Sequence, residues 1–479
     1  MTEQSMRRIC ANILEKITPN EDEAKRVRSL AEATRMRISE ALKAAGLKAD
    51  VKIEGSFAKD TWLSGEADVD IFILHPMDVD QKVVEETSLL ISRETLESWN
   101  QASGISERYA EHPYIEVFID GVRVNVVPGY GVKRGEWVTA VDRTPFHTEY
   151  VRSKLRFKEE LDEVRLLKKF MKGVGVYGAE IKTRGFSGYL CELLTICYQD
   201  FLSVLKGASK WRVGQVVDIE GYYKGRLNEA REIFNAPLIV IDPVDERRNA
   251  AAAVSIDRFK EFIAASRIFL EKPRETFFYP PKVKLASDEE LKGILSTRGA
   301  DLVFVVFDKV DIVPDVLWGQ LYKSIESLSN MVRQHDFKVI RTFCWSDEKS
   351  VNVFLFEVEN SILSSSKKHI GPPVEAKESN DFVEKHAGAQ HVVCGPWIEN
   401  GRWVYEVRRR YTDLTKLLQE KLIDGGRGVG VANKLVTSIK SSMKVFRNME
   451  IMQLYRENKE FAKAFMEFLL GKPAWLDFR

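Results

Sequence analysis

The stretch "YIEVFIDGVRVNVVPG", residues 114–129, leaves the backbone little choice. Two β-rich runs flank Asp120-Gly121, a dipeptide suited to a two-residue turn with positive φ, so the chain doubles back as an antiparallel hairpin. Closing the turn there sets Ile119 opposite Val122, and counting back sets Glu116 opposite Asn125 on the same face. A second informative strand precedes it. In "GEADVDIFIL", residues 65–74, Asp68 and Asp70 open an apolar run. Alternate strand residues share a face, which puts the two carboxylates about 7 Å apart at Cα, where they repel by roughly 2 kcal/mol at an effective dielectric near 20. A solvated strand end is the bland account of such a pair. A bound cation is the other.

Around these strands helix and strand alternate. Val27, Leu30, Ile38 and Leu42 recur at helical spacing between Asn20, an N-cap, and Gly46, a stop. "ADVKIE" forms a strand that runs into Gly55-Ser56, and a helix is predicted near residues 82–100. Residues 1–150 therefore read as a small α/β domain. Residues 151–270 are mostly helical, with "PLIVID" as a short strand, and the proline-bearing "EKPRETFFYPPK" reads as a linker. "DLVFVVF", a helix over about 314–335, "FKVIRTFCW" and "VNVFLFEV" give a β-α-β-β order, part of a ferredoxin-like sheet, within a segment 271–378. The last segment, 379–479, holds a hairpin turning at Asn400-Gly401 and then helices. The expected class is α+β, multidomain.

Composition excludes several functions. The 479 residues give room for about three or four domains. Lys plus Arg number 72 against 71 for Asp plus Glu, so a polyanion would be held by local basic patches and not by a global field. The five cysteines are scattered and no charged-then-apolar leader opens the sequence, which predicts a reducing, cytoplasmic setting. No run approaches the ~18 apolar residues of a membrane span.

Gly55-Ser56 comes straight off a strand, where glycine lets backbone N–H groups approach a phosphate and serine adds a donor; Lys59 lies one helical turn on. An anion cradle about a dozen residues before a hard-cation site suits a nucleoside triphosphate carrying Mg²⁺ or Mn²⁺. This Gly-Ser, then Asp-x-Asp, constellation resembles the polymerase-β-like nucleotidyltransferase superfamily. A closer likeness runs through "GSFAKDTWLSGEADVDIF", "YAEHPY", "AVDRTPFHTEY", "EVRLLKKFMKGVGVYGAE", "RGFSGYLCELL", "IDPVDERRN" and "ENGRWVYE" in that order. Together these resemble the archaeal, class I CCA-adding enzymes, the tRNA nucleotidyltransferases.

The resemblance implies a polymerase-β-like head with a mixed sheet (1–150), a helical neck (151–270), a ferredoxin- or RRM-like body (271–378) and an α/β, tRNA-contacting tail (379–479), usually in a homodimer. It implies untemplated addition of C, C and A to the tRNA 3′ end from CTP and ATP, with Mg²⁺ and release of pyrophosphate. It makes Asp68 and Asp70 metal ligands, Gly55, Ser56 and Lys59 a triphosphate turn, and Thr144 and His147 neighbours of the nucleotide. Lys168 and Tyr177 become triphosphate contacts, and Arg248 a partner of the incoming base. Without the resemblance, Lys168 would snorkel along the face of Val164, Leu167 and Met171, Tyr177 would be a core aromatic, and Arg248 would pair with Asp245. His147 and His112 would be structural.

Other features carry less. His386, His391 and Cys394 lack a fourth zinc ligand, Ser187 in "GFSGY" reads as a helix cap, and "GRGVGVANK" has no strand before it. Arg408 to Arg410, and Lys210-Trp211-Arg212, are solvated faces or phosphate grips. Where the family has a third metal carboxylate, in a stretch like V-x-V-D-V-V-P, this chain reads "VRVNVVP" and places Asn125. An amide lends an oxygen but brings no charge and accepts no proton. Three accounts stay open: Glu116 supplies the charge, an Asp-to-Asn change was introduced to trap a complex, or the chain is an impaired or inactive paralogue. An inactive tRNA-binding scaffold and another terminal transferase, such as a poly(A) polymerase, are the alternative functions.

Overall fold

The computed structural model describes residues 2–109 and 113–476, so His112 lies outside the described residues. Two compact units emerge: Met1–Lys282 with Pro473–Arg479, and Val283–Lys472.

In the first unit α1 (Thr2–Ile17) and α2 (Glu21–Ala44) precede β1 (Asp50–Glu54), the short α3 (Gly55–Ala58) and β2 (Asp68–His75). Asn20 caps α2 as predicted, its side chain accepting from the Glu23 N–H at 2.8 Å. After a π-helical turn come α4 (Ser88–Glu97), β3 (Ala102–Tyr109), β4 (Pro113–Ile119) and β5 (Val122–Tyr130). The sheet order is β1-β2-β5-β4-β3, with β2 and β5 parallel and all other pairs antiparallel. Asp120 and Gly121 have φ of 47° and 77°, and Glu116 faces Asn125 in the predicted register. β3 escapes sequence reading because "ASGISERY" is a polar edge strand with no alternation of apolar residues. One sheet face buries Val69, Ile71, Val117, Val124 and Val126 with Val27, Ile38 and Leu42 of α2. The opposite face carries the acidic pair.

The rest of this unit comprises α5 (Thr144–Lys154), α6 (Lys158–Val174), α7 (Gly188–Tyr198), α8 (Phe201–Ala208), β6 (Gln215–Asp218), α9 (Leu227–Phe234), β7 (Leu238–Asp242), β8 (Asp245–Asn249) and α10 (Ile256–Glu271). Ser187 caps α7, accepting from the Leu190 N–H at 3.1 Å. Two sequence expectations are corrected by the packing. α1, assigned to the head, buries Met6, Ile9 and Ile13 among the neck residues Leu167, Phe170 and Leu194. The linker read in "EKPRETFFYPPK" is core in its middle: Phe277 and Phe278 are buried, and Phe277 stacks on Phe170 at 5.7 Å. Its prolines flank an aromatic plug whose removal would open a cavity in the neck. Trp211 is likewise buried, stacked on Phe259 at 5.9 Å, while Lys210 and Arg212 on either side of it stay exposed.

The second unit begins with α11 (Asp288–Ser296), followed by β9 (Asp301–Asp308), α12 (Pro314–Gln334), β10 (Val339–Ser346) and β11 (Val351–Val358). β12 (Ser366–Pro373), α13 (Ser379–His386), β13 (Val392–Glu399) and β14 (Arg402–Arg408) form a separate three-stranded sheet, order β12-β14-β13. After α14 (Leu414–Leu422) and α15 (Val436–Ser442), β15 (Lys444–Arg447) joins the first sheet to give the order β10-β11-β9-β15. That is the ferredoxin-like order with its fourth strand arriving late. The boundary expected at 378/379 therefore does not separate compact parts, because the body sheet is closed by a strand from the tail. α16 (Met452–Glu457) packs Met452 and Tyr455, and α17 (Lys459–Leu470) packs Phe461, Phe465 and Leu469, on its other face. No helix among the described residues is long and apolar enough to cross a membrane.

Candidate active site

The pleat brings the acidic residues into lateral rows. Across β1, β2, β5 and β4 one row reads Glu54, Asp70, Asn125, Glu116, and the neighbouring row sets Asp68 beside Arg123. Asn125 donates Nδ2 to Oδ1 of Asp70 at 2.9 Å. Burial pushes the Asp70 carboxyl up to about 6 and the Asp68 charge adds to this, while the Asn125 donor works against both. Asp68 accepts from both Nε and Nη2 of Arg123. Glu116 is held by Arg108 at 3.0 Å. Gly55 has φ of 73° and its Cα lies so close to the Asp70 carboxylate that any Cβ would collide with it. Glycine here meets two demands at once, a left-handed backbone and close approach to the Asp70 carboxylate. Ser56 follows in the first turn of α3.

A buried ion cluster ties the turn after α3 to the neck. Glu192 on α7 is fully buried, accepting from Lys59 Nζ at 2.6 Å, Thr61 Oγ1 at 2.6 Å and Lys168 Nζ at 3.2 Å. Lys168 does not snorkel: its Nζ also donates to the Thr61 carbonyl at 3.1 Å and Oγ1 at 2.9 Å. Against the upward push of burial, Lys59 and Lys168 hold the Glu192 carboxyl down at about 2. Burial pulls the Lys168 ammonium below its usual range, and Glu192 opposes this. Tyr177 packs on this core beneath Lys172, whose Nζ is 4.9 Å from its ring.

Asp242, at the end of β7, organises a second cluster. Its buried carboxylate accepts from Arg248 Nη1 at 2.7 Å, Tyr189 Oη at 3.0 Å and the Val244 N–H at 3.1 Å, and meets His147 Nε2 at 2.9 Å. The His147 ring stacks on Tyr189 at 4.0 Å, and burial lowers its pKa while Asp242 resists. Against burial, His147 and Arg248 hold Asp242 at about 2. Arg248 thus does not pair with Asp245, which goes to Arg143 at 2.8 Å. Thr144 opens the helix that carries His147. Arg248 borders an open cleft of about 1590 Å³ whose walls include Arg134, Trp137, Arg143 and Arg247.

Three stretches of the chain are similar to known protein families. The description "Nucleotidyltransferase domain" matches residues 35–157, "tRNA nucleotidyltransferase, second domain" 162–279, and "CCA-adding enzyme, C-terminal domain" 298–448. A CCA-adding enzyme from Methanosarcina mazei is 38% identical over 92% of this chain and 94% of its own length. The chain belongs to the CCA-adding enzyme family. A relative from Methanothermobacter thermautotrophicus is 37% identical over 86% of the chain and 87% of its own. Among solved structures, a cytoplasmic RNA terminal U-transferase covers 57% of the chain and 98% of its own at 14% identity and a TM-score of 0.44.

Within this CCA-adding family member, no three His, Cys, Asp or Glu side chains among the described residues are grouped to hold a metal ion. The donor set still fits a hard divalent cation held through one or two carboxylates plus substrate phosphates and water. Asp68, Asp70 and, with its amide turned over, the Asn125 oxygen would form such a set. Sequence reasoning did not single out Glu192, Asp242, Tyr189 or Arg123. The first two have a visible signature only in hindsight: a lone acid in the apolar runs "GYLCELLTI" and "PLIVID". Asp242→Asn is expected to lower the stability of this CCA-adding chain by about 2–3 kcal/mol, because it leaves an arginine and a tyrosine with a weakened buried acceptor. Urea midpoints at constant slope would measure it.

Proposed function

We propose that this chain extends the 3′ end of tRNA by C, C and A from CTP and ATP without a nucleic-acid template, releasing pyrophosphate. The observation that carries the reading is the 38% identity to a CCA-adding enzyme spanning 94% of that enzyme. The geometry is in keeping with the following roles. Asp68, Asp70 and Asn125 would hold Mg²⁺ (or Mn²⁺), which supplies charge neutralisation on the phosphates and activation of the 3′-hydroxyl. Gly55 and Ser56 present the turn facing the triphosphate, with Lys59, Lys168 and Tyr177 behind it. Thr144 and His147 line the nucleotide side, and Arg248, fixed by Asp242, meets the incoming base. The arginine-lined cleft beside Arg248 suits the acceptor end of the tRNA. Because Asn125 accepts no proton, attack on the α-phosphate is slowed more than triphosphate binding. The tail, 379–479, contacts the tRNA in this reading; the chain works as a cytoplasmic homodimer.

The test incubates tRNA ending at its discriminator base with labelled CTP, ATP and Mg²⁺. Slow, ordered addition of C, C and A is expected, with CTP alone stopping after two residues. No incorporation by this chain or by Asn125→Asp, with tRNA still bound, would overturn the enzyme reading in favour of a tRNA-binding scaffold.

A further inference from the structure

Two arginines on the sheet face of the acidic pair, Arg123 and Arg108, have no part in the chemistry above. Arg123 on β5 donates Nε to Oδ1 and Nη2 to Oδ2 of Asp68, so a guanidinium covers the coordinating edge of that carboxylate. Its remaining nitrogen, Nη1, stands 3.8 Å from Oε2 of Glu116, diagonally across the hairpin. The other oxygen of Glu116 accepts from Arg108 Nε at 3.2 Å and Nη2 at 3.0 Å. Charges therefore alternate along one sheet face: Asp68, Arg123, Glu116, Arg108. The side chain of Arg123 is 45% exposed and has room to swing, whereas that of Glu116 is 14% exposed and is pinned by Arg108.

A divalent cation and a guanidinium cannot share the same two oxygens. We propose that Arg123 is a positioning residue that holds Asp68 in the metal-free protein and passes to Glu116 when a divalent cation takes Asp68. This rests on the reading of Asp68 and Asp70 as cation ligands. With Arg123 in place, two carboxylates and one guanidinium leave a single net negative charge at the pair. Transferring Arg123 restores the second charge when the cation needs it, and Asn125 adds none. Glu116 is in this account the receiver of the displaced guanidinium and no third ligand, since one of its oxygens accepts from Arg108 and the other faces Arg123. The exchange ties cation entry to a side-chain movement across the hairpin that the turn at Asp120-Gly121 registers.

Mn²⁺ binding to the full chain, alone and with CTP, can be followed by the paramagnetic resonance of free Mn²⁺. Arg123→Gln is expected to tighten binding roughly three- to tenfold, the range for removing a competing partly exposed bidentate pair. Glu116→Gln should weaken it roughly two- to fivefold in the native background and have no effect in the Arg123→Gln background. Circular dichroism verifies that each variant is folded. Unchanged or weaker Mn²⁺ binding by Arg123→Gln would overturn the proposal. So would equal weakening by Glu116→Gln in both backgrounds, which would make Glu116 a direct ligand. Should the unsubstituted chain take up no Mn²⁺ with or without CTP, and Asp68→Asn change nothing, the reading of the acidic pair itself falls and takes this proposal with it.

Discussion

Asn125→Asp should raise the rate of CMP incorporation into tRNA lacking its 3′ end by about a hundredfold or more, the range that a positioned proton acceptor supplies. The affinity for CTP should change little, because the turn at Gly55 and Ser56, proposed to face the triphosphate, is untouched. Single-turnover kinetics separate the two quantities, and a rise in affinity without a rise in rate would contradict the assignment. A second readout is independent of turnover. The native amide donates to Asp70 at 2.9 Å, and a carboxylate in its place would repel Asp70 and lose that bond. Without divalent cation the variant should be destabilised by about 1–3 kcal/mol, and Mg²⁺ should restore the loss.

Glu192→Gln should be the most destabilising single change in the first unit. It leaves the ammonium groups of Lys59 and Lys168 without their buried counter-charge, a situation that costs ~3–5 kcal/mol and lowers the melting temperature by roughly 10 °C for a unit of this size. The pH dependence has a definite sign. The Glu192 carboxyl is held at about 2, below its ordinary value of 4.5. Its contribution is therefore complete above about pH 4.5 and is lost as pH falls toward 2. The gap between native chain and variant should be widest at neutral pH and shrink through that window in calorimetric scans. Activity should fall too, since Lys59 and Lys168 lie behind the turn proposed to face the triphosphate. A variant with unchanged stability at pH 7 would show that the two lysines find other partners.

How legible the site was depended on whether its parts lie close along the chain. The Asp120-Gly121 turn and the period-two pattern were enough to place Glu116 against Asn125, and the structure has that register. Asp68 and Asp70 were visible because two acids at the head of an apolar strand conflict with burial. Arg123 was within reach too, two residues from Asn125 on the same face, yet nothing local says which strand lies beside β5. Only the parallel pairing of β2 with β5 sets Arg123 against Asp68. The two buried clusters were illegible for the same reason: Glu192 meets Lys59 across 133 positions, and Asp242 meets His147 across 95.

Segment boundaries were misread where packing overrides composition. Prolines mark "EKPRETFFYPPK" as a break, but two phenylalanines within it are core, because the neck is completed by whatever apolar surface returns to it. β15 joins the body sheet after an inserted sheet has come and gone, a pairing whose register no local pattern encodes. The sequence by itself determined many of the elements, though not β3, together with the hairpin register and the chemical kind of the site, since turn geometry, side-chain alternation and charge are properties of neighbouring residues. The tertiary structure decided which charges meet, because that depends on strand order and on helices brought together over a hundred residues of chain. Whether Asp68 faces a cation or Arg123 is a matter of that second kind.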